Sequence, residues 1–116
     1  MSIHYYWYDS TCFPELTLSG KELKQAGFNS GDLFITELYN NGVILRRVPD
    51  TADLEKLFME TEESFYKQSA DYVLDNGDIY LAGDYLRENG LNRQQLDITI
   101  IYGMITIRAK RVNFLA

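Results

Sequence analysis

The chain has 116 residues, 46% of them hydrophobic, and a formal net charge of −6 at neutral pH. That length holds one domain with a shared core, and the apolar content excludes wholesale disorder. No apolar run approaches the ~20 residues of a membrane-spanning helix. No basic segment followed by an apolar block opens the chain, and the lone Cys12 excludes an internal disulfide, so the expected setting is the reducing cytoplasm.

IHYYWY (3–8) reads as an aromatic strand. Alternation sends two of its four consecutive aromatics into a core and leaves two, with Tyr6 and Tyr8 the candidates, at an edge open to a partner. His4, the only histidine, reads as a packing or surface residue rather than a base. An extended stretch over residues 15–18 leads to a short helix, for which Ser19 is the expected cap and Glu22, three residues on, completes a capping box. Gly27 stops that helix in the left-handed conformation. LFITELY and VILRRV then form a hairpin through NNG (40–42). Phe34 and Leu38 lie opposite Leu33 and Ile35, which predicts a strand covered on both faces.

Pro49 ends the strand, and residues 49–70 read as a connector helix with Leu54, Leu57, Phe58, Thr61 and Phe65 on one stripe and carboxylates on the other side. DYVL (71–74) is the next strand, turned by Asp75-Asn76-Gly77 into an extended stretch over residues 78–81. A second short helix starts less firmly, at Ala82, and stops at Gly90. LDITIIY and MITIRAK close the chain as a hairpin, with Leu96, Ile98 and Ile100 on one face and Asp97 and Thr99 on the other.

The chain thus writes one unit twice: strand, strand, short helix, strand, strand. Residues 16–39 align on 79–102 without a gap and share nine of 24 positions; a two-residue deletion then brings Gly42 onto Gly103 and Arg47 onto Arg108. The organisation is a first repeat over 1–48, an acidic connector over 49–70 and a second repeat over 71–116, all within one compact domain. The charge is not evenly spread: residues 49–77 hold eight acids against Lys56 and Lys67, which accounts for all of the −6.

LTLSGKELKQAGFNSGDLFITELYNNGVILRRV is similar to the core of the SymE-like proteins of the AbrB/MazE swapped-hairpin group, through the opening strand, the L-S-G-K-x-L-x-x-A-G-F helix, the following G-D and a hairpin closing with G-x-I-L. The resemblance covers 16–48; the second copy matches more weakly, lacking the Ser, the Phe and the G-D. It implies an α+β, mainly β fold in which two copies in one chain build a swapped-hairpin barrel as an intrachain pseudo-dimer. It also implies toxin–antitoxin biology, with either a nucleic-acid-binding toxin or ribonuclease, or an antitoxin that binds DNA or neutralises a nuclease.

Two functional expectations follow. The first is a non-enzymatic binding protein of toxin–antitoxin or immunity type, as monomer or homodimer, that neutralises a basic protein partner such as a nuclease through Glu55, Glu60, Glu62 and Glu63 of the connector and through Tyr6 and Tyr8. The alternative is nucleic-acid binding, with Arg46, Arg47, Arg108 and Lys110 meeting as one patch; a pI near 4.6 works against phosphate neutralisation except where charge is segregated. No motif defines a catalytic residue, and endoribonuclease is the enzyme class that the resemblance would bring. S-G-K at 19–21 lacks the P-loop frame, and the acidic cluster lacks a calcium-loop pattern, so no cofactor or metal is expected.

Overall fold

In a computed structural model of the protein, the residues described are 3–9, 14–39, 41–49, 56, 68–91 and 95–110. The chain runs β1 (His4–Asp9), β2 (Pro14–Ser19), α1 (Lys21–Gln25), β3 (Leu33–Tyr39), β4 (Gly42–Arg47), β5 (Gln68–Tyr72), β6 (Ile79–Ala82), α2 (Tyr85–Glu88), β7 (Leu96–Ile101) and β8 (Met104–Ala109). The strands make two antiparallel sheets, β1-β2-β6 and β5-β3-β4-β8-β7, so the fold is α+β and mainly β. Among the described residues no ladder closes these sheets into one barrel. One hydrogen bond between strands of the two sheets does join them, the Leu96 N–H donating to the Tyr5 hydroxyl at 3.1 Å, and the turn between β5 and β6 is closed by the Leu74 N–H donating to the Asp78 carbonyl at 2.9 Å.

Period-two alternation accounts for the core. β2 buries Pro14, Leu16 and Leu18 and turns Glu15 and Thr17 outward. Val43 and Leu45 of β4 and Ile105 and Ile107 of β8 meet Leu23, Phe28, Leu86 and Leu91 around the helices in the main cluster. β3 is covered on both faces, as its sequence predicts: Phe34 and Leu38 join the main cluster, while Leu33 and Ile35 pack with Val48 and Ala70 in a second one.

The two repeats build matching helix ends. Gly27 and Gly90 take positive φ of 90° and 73° after α1 and α2, and the Phe28 and Leu91 N–H groups donate to the Leu23 and Leu86 carbonyls, each at 2.9 Å. Helix starts differ from expectation. Gly20, with φ of 136°, is the N-cap of α1, no side chain caps it, and Ser19 ends β2 instead. A backbone conformation that only glycine tolerates carries the chain from strand into helix and leaves Glu22 free of the capping box.

The copies also meet each other. β2 pairs with β6 so that Thr17 lies opposite Tyr80, with Leu16 opposite Leu81 and Leu18 opposite Ile79. β4 pairs with β8 so that Ile44 lies opposite Thr106. Thr17 and Tyr80 are repeat equivalents 63 positions apart, whereas the two-residue hairpin loops match Tyr39–Gly42 to Ile101–Met104, an offset of 62. The gapless alignment is therefore off by one beyond the helices. Phe34, not Leu33, corresponds to Leu96, and Arg46, not Arg47, corresponds to Arg108. A one-residue slip exchanges the faces of a strand, and β3 with apolar residues on both faces hides the slip in the sequence.

The second leading strand departs from the expected unit. The turn at Asp75-Asn76-Gly77 forms, with the Gly77 N–H donating to the Leu74 carbonyl at 2.9 Å, but β5 pairs with β3 rather than with β6. Its strand residues begin at Gln68, so the connector's expected end at 70 lies inside β5. Of the rest of the connector only Pro49 and Lys56, the latter helical and exposed, are described; Glu55, Glu60, Glu62 and Glu63 lie outside the described residues, as does Cys12.

Candidate functional site

The three-stranded sheet has one covered and one open face. Ile3, Tyr5 and Trp7 pack against the main core, and the alternate residues of β1 face out, with Tyr6 57% and Tyr8 64% exposed. The ladder places Tyr6, Thr17 and Tyr80 in one cross-strand row and Tyr8 opposite Glu15. The Tyr80 hydroxyl donates to the Glu15 carboxylate across the sheet. The open face is thus three tyrosines around one acid, and Tyr80 is the member that sequence reading missed. Its signal was present in D-I-Y-L-A, where alternation places it opposite Ile79 and Leu81.

That hydrogen bond, aided by burial and by the nearby negative charge, pushes the Tyr80 phenol from its ordinary 10 to about 12. The folded value lies above the unfolded one, so this contribution to stability is complete below pH 10 and is lost as pH rises through about 12. Substituting Glu15→Gln is expected to return Tyr80 toward 10, read as an earlier phenolate absorbance in an alkaline titration. Tyr85 is also held well above the phenol range, first by burial and then by the charges of Asp71 and Tyr80.

The basic residues do not meet as one patch. Arg46 and Arg47 are neighbours on β4 and leave opposite faces of the sheet. Arg46 is ion-paired with Glu37, which strengthens its hold on its proton, and its Nη1 lies 3.3 Å from the Met104 Sδ. Arg47 is half-buried, with its Nε 3.7 Å from the Asp32 Oδ2, the same oxygen that accepts the Asn29 N–H. Arg108 shares the outer face with Arg46, but Arg46 lies opposite Met104, four residues from Arg108 along β8, about 13 Å at ~3.3 Å per residue. Arg108 lies opposite Asp97 and, with Lys110 and Tyr39, lines a groove of about 760 Å³ at the β3–β4 hairpin tip. A second groove of about 540 Å³ is lined by Lys21, Lys24, Asn29, Ser30 and Asn76, residues that the sequence reading had not grouped, and Asp78 shares it.

One carboxylate stands apart. Glu22 of α1 is only 8% exposed, and its Oε2 is buried with no hydrogen-bond partner among the described residues. The capping box expected of it with Ser19 does not form.

No described helix is long and apolar enough to cross a membrane, and no group of three His, Cys, Asp or Glu side chains is placed to hold a metal ion among the described residues. Compared with known protein families, curated proteins and solved structures, the chain matches none.

Proposed function

We propose that the protein is a small non-enzymatic binding protein of toxin–antitoxin or immunity type that recognises a basic protein partner, such as a nuclease. The observation that carries this reading is the open face of the three-stranded sheet, where Tyr6, Tyr8 and Tyr80 surround Glu15. Tyrosine offers large, stiff contact area with a polar tip and is enriched at protein interfaces. The net charge of −6 adds complementarity to a basic surface, with Glu55, Glu60, Glu62 and Glu63 as the steering charges. Arg46 and Arg47 are each ion-paired to a carboxylate, which weighs against a phosphate-neutralising surface.

The fold reading behind this is a tandem relative of the SymE-like swapped-hairpin proteins, with the two copies as an intrachain pseudo-dimer. It is supported by the two ladders between copies, in which Thr17 faces Tyr80 and Ile44 faces Thr106, as an internal two-fold would have it. With β1 reaching β7 through the Leu96–Tyr5 hydrogen bond and the turn over 73–78 leading from β5 to β6, the eight strands would circle one core as a barrel with two seams. The unit is duplicated because one copy of ~45 residues buries too little apolar surface alone. The setting is cytoplasmic and the protein a monomer or homodimer.

The test is affinity capture followed by measured binding of the captured protein to wild type and to a Tyr6→Ala/Tyr8→Ala variant. The fold should survive, because both side chains are exposed. Tyrosines at interface centres cost about 1–2 kcal/mol each on truncation, so binding should weaken at least about tenfold. Undiminished binding would remove the sheet face from the account.

A further inference from the structure

The tyrosine face is built as a slot. Tyr6 of β1 and Tyr80 of β6 flank Thr17 of β2 in one cross-strand row. Two strand spacings of ~4.8 Å set the backbones of the two tyrosines about 10 Å apart, with only the short threonine between them. Tyr6 is 57% and Tyr80 36% exposed, so both rings are walls that solvent reaches. Leu16 and Leu18, the neighbours of Thr17 along β2, have no exposed surface, which pins the floor of the slot to the core.

A carboxylate stands at one end of it. Glu15 lies on the same outward side of β2 as Thr17, about 7 Å along the strand, and opposite Tyr8 of β1. The Tyr80 hydroxyl donates to Glu15 Oε1 and so holds the carboxylate beside the slot, while Oε2 takes no hydrogen bond among the described residues. No outward position of β1, β2 or β6 among the described residues is a lysine or an arginine. The sheet face thus carries an accessible acid set among rings, without a cation of its own.

We propose that this slot takes an arginine side chain of the basic protein partner, a proposal that rests on the protein-binding reading above and names the group its tyrosine face holds. A guanidinium is flat, weakly hydrated and stacks on aromatic rings, so it fits between Tyr6 and Tyr80 with its faces to the rings and its N–H edge to Glu15. The free Oε2 and the second lone pair of Oε1 supply two acceptors for that edge. A lysine ammonium is a compact, strongly hydrated point charge that gains from the carboxylate but little from two flat walls. An uncharged planar group gains from the walls and little from the carboxylate. The net charge of −6 favours the approach of a basic partner.

The probes are N-acetyl-L-arginine amide, the lysine amide of equal charge, and the citrulline amide of like shape without the charge. Each is titrated into the intact protein and followed by the NMR shifts of Thr17 and of the Tyr6 and Tyr80 rings. Saturable shifts in the millimolar range are expected for the arginine amide, with the other two at least about fivefold weaker. Glu15→Gln should remove the advantage of arginine over citrulline. Thr17→Phe, an outward strand position that accepts an aromatic, fills the slot and should abolish arginine binding while the charge of Glu15 stays. Equal response to arginine and either control, no saturable response, or arginine binding unchanged in either folded variant would overturn the slot. Should Thr17→Phe fail to fold, Glu15→Gln and the three-probe comparison decide. A captured partner that needs Tyr6 and Tyr8 while the probes fail would keep the face as an interface and remove the arginine from it.

Discussion

Gly42→Ala is expected to destabilise the protein by about 3 kcal/mol, while Gly103→Ala costs about 1 kcal/mol. The two glycines align in sequence, so equal effects would be the naive expectation. Their surroundings differ. A Cβ at Gly42 would sit 2.3 Å from the backbone carbonyl oxygen of Ile107, in the β4–β8 ladder that joins the two repeats. Backbone on both sides leaves no flexible group to yield, so the ladder must part. Gly103 is a turn residue at φ of 79° with nothing within 4 Å of an added Cβ, and its cost is only that of a left-handed non-glycine residue. Urea unfolding measures both: the midpoint should fall far more for Gly42→Ala, and equal shifts would contradict the assigned register.

Phe34→Ala should cost about 3–5 kcal/mol, the range for a fully buried aromatic. Phe34 has no exposed surface and lies on the main-core face of β3 with Leu38, at the position that Leu96 fills in the other repeat. Ile35 faces the small cluster of Leu33, Val48 and Ala70, where Ile35→Ala should cost nearer about 2 kcal/mol, because fewer neighbours line the space it vacates. The same urea titrations rank the two. A larger loss at Ile35 would place the core on the opposite face of β3.

Those two comparisons turn on what sequence could and could not specify. Alternation in IHYYWY and LDITII was enough to divide packed from exposed side chains, and the turn glycines were enough to locate both hairpins. The offset between repeats was not legible. Leu33 matches Leu96 and Ile35 matches Ile98 by identity, and because β3 buries both faces, either register satisfies its apolar residues. Only the ladder pairings separate the two. The partner of β5 was hidden for a related reason: pairing with β3 joins segments separated by the whole connector, and the local Asp75-Asn76-Gly77 turn argued for β6.

The arginine patch depended on the same register. Equating Arg47 with Arg108 brings the repeat's cations together on paper; the one-residue slip equates Arg46 with Arg108 and sends Arg47 to the other face, against Asp32. Tyr6 and Tyr8 were legible because a single strand's pleat decides them. Alternation in D-I-Y-L-A turns Tyr80 outward, but setting it beside Tyr6 and Glu15 required the β2–β6 ladder, and the burial of the Glu22 oxygen required the packing of α1.

The central claim is that this surface addresses a protein and not a phosphate backbone. It is tested most directly by titrating the purified protein against random RNA and DNA pools from about 50 to 200 mM salt, a range over which phosphate contacts lose affinity steeply. The account predicts no saturable binding even at the lowest salt. Micromolar binding that falls steeply with salt and disappears in an Arg46→Glu/Arg108→Glu variant would contradict it and make the outer face of the five-stranded sheet a nucleic-acid interface.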